Sequence, residues 1–247
     1  EIYTLSLHDA LPICVSPETS CGMGRFFYSL TIQNPRMSKN HPGSIVRIGV
    51  FYDGTFFWRI SNYYKHRHER DSYLSIDGLH EYICARVADL ETGSDTRLCR
   101  ITEAHFFRGR FSLKSVQAMK DPAKQLEVDR FQDQILMHAG ITPHYHPMNE
   151  ALDPPEEKGI DVWMALEAYD LALHKNLDVV VIVSGDSDFV PLVRKLSALG
   201  TRTLILGVNL EGVAKTSQKL MDEAPYTLML SEDIDEDIDP RIDDLFH

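Results

Sequence analysis

Asp186 and Asp188 stand in SGDSDF, residues 184–189, directly after the aliphatic run Asp178-Val179-Val180-Val181-Ile182-Val183. A strand end needs a turn, and two anions there call for a reason. One reason is capping: Ser184, Asp186 and Ser187 can accept hydrogen bonds from the first N–H groups of a following helix, whose dipole also favours negative charge. The other is a cation, which needs further acids at the same place. Asp53 ends the β-branched and aromatic stretch IVRIGVFY, residues 45–52, and Asp161 opens the apolar stretch GIDVWMALEAYDLALH, residues 159–174. Carboxylates brought within about 4–6 Å raise one another's pKa unless a cation compensates. Oxygen donors suit Mg²⁺ or Mn²⁺ better than zinc, which prefers His and Cys.

The elements that would position these acids alternate in type. Residues 45–52 read as a strand ending in a turn at Asp53-Gly54. Ile76, Leu79, Ile83, Val87 and Leu90 recur at steps of three and four, which predicts a helix over 76–90 with Ser75 as N-cap. A strand is expected at 97–107, a helix at 122–139 ended by Gly140, and a short strand at 141–146. Residues 159–174 are apolar nearly all round, so that helix is expected to be deeply packed. Strand 178–183, helix 188–199, strand 202–206, a helix near 211–222 and a strand near 226–230 complete the pattern. Such alternation, with continuously aliphatic central strands, implies a mostly parallel sheet covered on both faces. Ligands of such sheets bind outside the carboxyl ends of the strands, the rim where all four acids fall.

The chain of 247 residues, 43% hydrophobic and 25% charged, has the composition of an ordinary globular protein. No apolar run approaches the roughly 18 residues of a membrane span. The formal charge of −12 is concentrated: residues 231–247 contribute −7 and leave −5 for the rest, so net charge does not exclude a polyanionic partner. That C-terminal segment reads as an acidic, disordered tail. Cys14, Cys21, Cys84 and Cys99 show no metal-finger spacing and read as thiols in a reducing cytoplasm. Residues 1–44 read as a flexible leader, with residues 1–13 resembling the translation of a sequencing adapter.

At the acids the chain resembles a known family. KGIDVWMALEAYDLAL, DVVVIVSGDSDFVPLVRKLSALG and VFYDG are similar to the NYN domain of the LabA-like group, a branch of the PIN-like metal-dependent nucleases, over residues 46–208. The resemblance implies a three-layer α/β/α, PIN-like (Rossmann-like) domain over 45–230. It also implies Asp53, Asp161, Asp186 and Asp188 as metal-site and catalytic residues binding Mg²⁺ or Mn²⁺ for hydrolysis of RNA. The chain departs from the family at Thr55-Phe56-Phe57, where an Asn is common, and at Glu167, where an Asp is common. A haloacid dehalogenase-type phosphatase is a rival reading of Tyr52-Asp53-Gly54-Thr55, but its nucleophile would fall at Phe51 and its later acid at Val190. A third reading keeps the domain and drops the chemistry: a regulatory module that binds RNA or protein without cutting.

Single-stranded RNA calls for cations interleaved with aromatic rings. NYYKHRHER, residues 62–70, offers Arg67, and FFRGRF, residues 106–111, offers Arg108 and Arg110. Both segments read equally as solvated surface. Thr55 and Ser184, hydroxyls at the acidic rim, complete the expected substrate contacts. His144 and His146 share a strand face but lack a third ligand, so they read as a surface pair. RNA is the expected partner, no membrane contact is expected, and a homo-oligomer is left open.

Overall fold

A computed structural model describes residues 44–152, 154–237 and 239–246. The expectations for residues 1–43, including the adapter-like start, Cys14 and Cys21, lie outside the described residues. The chain begins with β1 (Val46–Asp53), α1 (Gly54–His66), α2 (Ile76–Glu91) and β2 (Cys99–Arg110). It continues through α3 (Leu113–Ala118), α4 (Pro122–His138), β3 (Thr142–Pro147), α5 (Ile160–His174) and β4 (Val179–Val183). Then follow α6 (Val190–Ala198), β5 (Arg202–Gly207), the hairpin β6 (Asn209–Leu210) and β7 (Ala214–Lys215), α7 (Gln218–Glu223), β8 (Tyr226–Met229) and α8 (Leu230–Glu236).

The main sheet has six strands in the order β3-β2-β1-β4-β5-β8, and every neighbouring pair is parallel. Side chains alternate across it with the strand period of two. Ile48, Val50 and Tyr52 of β1 face a cluster with Ile60 and Tyr64 of α1 and Leu79 and Ile83 of α2. Phe51, Val180 and Ile182 face the opposite cluster with Met164, Ala168 and Ala172 of α5 and Val193 and Leu196 of α6. Helices therefore cover both faces, the three-layer α/β arrangement expected from the sequence. Each fully buried aliphatic or aromatic side chain contributes about 1.5–3 kcal/mol. Among the described residues no helix is long and apolar enough to cross a membrane.

Four expectations need correction. No turn separates β1 from α1, because the Asp53 side chain accepts the Phe56 N–H and starts the helix at once. The helix expected from 211 begins only at Gln218, since the hairpin β6–β7 takes up the preceding residues. Helix α5 is not packed all round: its small residues Ala168 and Ala172 let it lie close on the sheet, while Val162 and Leu166 remain 64% and 65% exposed. Apolar composition alone could not say which stripe would face the sheet.

The fourth correction concerns the acidic segment 231–247, expected as a disordered tail. Its acids are interrupted by Ile234, Ile242 and Leu245, which are buried in the core over α1 and α2. The acids between them find partners: Asp233 accepts from the Tyr82 hydroxyl at 2.9 Å, and Arg70 pairs with Asp237 and Asp243. Phe246 forms a bridge to Leu74 and lies under the Arg70 guanidinium at 5.1 Å. Counting charge without the apolar positions between the charges misread this segment.

Candidate functional site

Strand β1 is the point at which the strand order reverses. The chain moves outward from it to β2 and β3, then returns along α5 to place β4 on its other side. Parallel sheets open a crevice at such a reversal, beyond the carboxyl ends of the strands. Asp53 is the last residue of β1 and Ser184 the first after β4. The Ser184 hydroxyl donates to Asp53 Oδ2 at 3.2 Å and accepts the Asp186 N–H at 3.2 Å. Asp186 in turn accepts the Asp188 N–H at 2.9 Å and caps the 3₁₀ turn Ser187–Phe189. The capping chemistry of SGDSDF is thus real, and it serves to fix the acids at the crevice. Asp161 arrives from the first turn of α5, whose entry Gly159 sits at φ 81°, a left-handed conformation that costs side-chain-bearing residues strain.

These acids act on one another's charge. Burial, followed by the charges of Asp161 and Glu157, raises the Asp53 pKa to about 6, against the lowering effect of hydrogen bonds from Phe56 and Ser184. Asp161 is also raised, first by burial and then by Asp186, Glu157 and Asp188. Among the described residues no Lys, Arg or His forms an ion pair with Asp53, Glu157, Asp161, Asp186 or Asp188. The crevice gathers negative charge without a direct ion pair, and the Arg108 guanidinium acts on Glu157 from the adjoining cleft.

Residues 47–231 match the NYN domain family. The chain belongs to the NYN domain family. The NYN domain falls within the PIN-like nuclease superfamily. An uncharacterized protein of Methanocaldococcus jannaschii is 29% identical over 87 residues, which is 35% of this chain and 35% of that protein. The match therefore spans about a third of that relative's length. A solved structure of a Vibrio parahaemolyticus protein of unknown function is similar over 83% of this chain and 98% of its own, at 21% identity and a TM-score of 0.49.

In this NYN domain the sequence reading missed Glu157. Its carboxylate accepts the Thr55 hydroxyl at 2.8 Å and the Gly109 N–H at 2.7 Å, tying the loop before α5 to α1 and β2. Only its place four residues before Asp161, on the approach to the same rim, hinted at it. Of the two hydroxyls expected at the substrate, Thr55 donates to Glu157 and Ser184 is fully buried and donates to Asp53, so Ser184 supports an acid rather than facing a ligand. Arg108 lines a cleft beside Thr55 and Glu157. Arg110 is engaged elsewhere, paired with Asp133 at 2.7 Å and stacked over Tyr145 at 3.7 Å. Arg67 caps the far end of the 13-residue α1, about 20 Å from Asp53 by helical rise. The neighbouring Tyr64 is fully buried and Arg70 holds the C-terminal segment, so residues 62–70 do not offer the stacked surface expected of them.

The histidines also differ from expectation. His144 stacks on Phe107 at 4.4 Å, meets the Trp163 edge at 5.1 Å, and shares a 2.9 Å hydrogen bond with His105, so it is half-buried and engaged rather than a free surface group. As for a cation, the acids supply hard oxygen donors with no ion-paired Lys, Arg or His among the described residues, the donor type Mg²⁺ or Mn²⁺ would take. Among the described residues no three His, Cys, Asp or Glu side chains stand grouped so that they could hold a metal ion. Asp53 and Asp161 are coupled by charge, and so are Asp161, Asp186 and Asp188.

Proposed function

We propose that the chain is a metal-dependent ribonuclease that hydrolyses the phosphodiester bonds of single-stranded RNA, using Mg²⁺ or Mn²⁺. The observation that supports this reading most is that three separate elements bring charge-coupled acids to the reversal of the strand order, without a direct ion pair among the described residues. Asp53, Asp161, Asp186 and Asp188 would hold the ion. A divalent ion there supplies an activated water near neutral pH and neutralises charge on the phosphoryl oxygens.

The chain's own groups do the positioning. Ser184 and the Phe56 N–H fix both oxygens of Asp53, so its carboxylate cannot swing away from the crevice. Asp186 is held by its own turn, with the Ser184 hydroxyl beneath its N–H. Glu157 braces Thr55 and the β2 backbone at Gly109.

The test uses a labelled single-stranded RNA with wild type and Asp186→Asn. Wild type should cleave it with Mn²⁺ or Mg²⁺ and not with EDTA. The variant should lose cleavage, and its thermal shift on saturation with Mn²⁺ should shrink, since ion binding to the native state generates that shift. A less stable Asp186→Asn that cleaves normally would return SGDSDF to a capping role alone. A wild type that binds RNA but never cleaves it would leave the regulatory module.

A further inference from the structure

Beside the acids, on the α1 face of the sheet, lies a cleft of about 440 Å³ lined by Thr55, Arg59, Arg108, Phe111, Met148 and Glu157, among others. Its lining residues adjoin the acids: Thr55 lies two residues after Asp53 in the chain, and Glu157 acts on the charge of both Asp53 and Asp161. At one wall, the β2 backbone at Gly109, a Cβ would collide with Met148 Sδ and Glu157 Cγ. The absence of a side chain there lets Met148 and Glu157 pack against the strand and lets Glu157 reach the Gly109 N–H.

The cations of this cleft are the informative part. Arg108 is half-buried, its guanidinium donates to Gln132, and no carboxylate pairs with it among the described residues. Burial pulls its pKa down, with Glu157 and Asp129 acting in the other direction. A half-buried guanidinium held by Gln132, with Glu157 and Asp129 acting on it only at a distance, keeps donors for a direct contact with an anion. Arg59 stands one turn along α1 from Thr55, exposed and without an ion pair among the described residues. Two unpaired cations face an apolar wall that includes Phe111, Met148 and Pro155. A phosphate and a base presented together match that lining, with the phosphate on the guanidinium groups and the base on the ring and thioether.

Resting on the ribonuclease reading above, we propose that this cleft seats the nucleotide adjoining the cleaved phosphodiester of single-stranded RNA, with Arg59 and Arg108 on its phosphate and Phe111 and Met148 against its base. The acids then do the chemistry, and the cleft selects and aligns the strand. Arg110, saturated by Asp133 and Tyr145, takes no part.

Binding is measured without turnover, by the anisotropy of a labelled single-stranded RNA octamer in EDTA across a salt series. Arg59→Gln and Arg108→Gln should each weaken binding about tenfold. Each should also lower the slope of log affinity against log salt by about 0.7, the value for one phosphate contact on a single strand. Phe111→Ala should weaken binding and leave the slope unchanged, Arg108→Lys should restore the slope, and Arg110→Gln should match wild type. If Arg108→Gln melts far below wild type, exposed Arg59 decides the question alone. Unchanged affinity and slope in Arg59→Gln, or an equal loss in Arg110→Gln, would overturn the proposal. The two readings fail separately: wild type that cleaves RNA while Arg59→Gln binds normally rejects the cleft, whereas cleft-dependent binding with no cleavage under Mn²⁺ rejects the ribonuclease and upholds the RNA seat.

Discussion

Replacing Asp53 with Asn should make the metal-free protein more stable near neutral pH, although it deletes a group at the centre of the site. In the fold the Asp53 pKa is raised from 3.8 to about 6, chiefly by burial and then by Asp161 and Glu157. Because the folded value lies above the unfolded one, the favourable contribution is fully present below about pH 4 and is lost as pH rises through about 6. A shift of about two units corresponds to about 3 kcal/mol of destabilisation once the group is ionised, since each unit is about 1.4 kcal/mol. Asn keeps an acceptor for the Phe56 N–H but gives up a charged one, an offset of about 1 kcal/mol. The net expectation is a gain of about 1–2 kcal/mol at pH 7.5 in EDTA, vanishing or reversing by pH 4.5. Urea unfolding of wild type and variant across that range measures it directly. Saturating Mn²⁺ should invert the order by stabilising wild type alone. A variant equally destabilised at both pH values would refute the reasoning, because Asp53 would then be a simple helix cap.

Leu245→Ala should cost about 2–4 kcal/mol, because the side chain is fully buried between the C-terminal segment and the helices over β1; a loss under about 0.5 kcal/mol in chemical denaturation would mean the segment does not hold to the core. His144 has its pKa lowered by burial first and then by His105, with Glu167 opposing and Phe107 and Trp163 closing it in. Its neutral form is therefore the folded one, and the stability it supports is present above about pH 6.5 and lost as pH falls through the lower folded value. His144→Gln should show a smaller loss of melting temperature than wild type between pH 7 and 5, and equal slopes would count against a half-buried, neutral His144.

The rim of acids was legible in the sequence because its signals are local and strong. The run Val179–Val183 can only be a buried central strand, and whatever follows such a strand in a parallel sheet lies at the carboxyl rim. Asp53 was placed by the same logic, and Asp161 by its position in the first turn of α5. Glu157 was not legible, because its role depends on partners about a hundred residues and about fifty residues away, Thr55 and Gly109. The arginines were confused for a related reason. Spacing brought Arg67 to notice among tyrosines, yet α1 carries it away from the site and leaves Arg59 facing the cleft. Arg108 and Arg110 read alike as a pair in the sequence, and only Asp133 and Tyr145 distinguish them.

The contacts between Arg70 and the acids near residue 240 also bear on how the domain is made. Arg70 reaches Asp243 across 173 residues, and Ser184 reaches Asp53 across 131. Contacts of such separation form late, because their loop-closure entropy must be overcome before they stabilise anything. During synthesis, α1 and α2 leave the ribosome long before the segment that covers them, and their apolar faces stay exposed to other chains meanwhile. The domain is expected to be aggregation-prone as a nascent chain. Slowed translation or a chaperone acting before residue 245 emerges should raise its soluble yield more than any change to the finished fold.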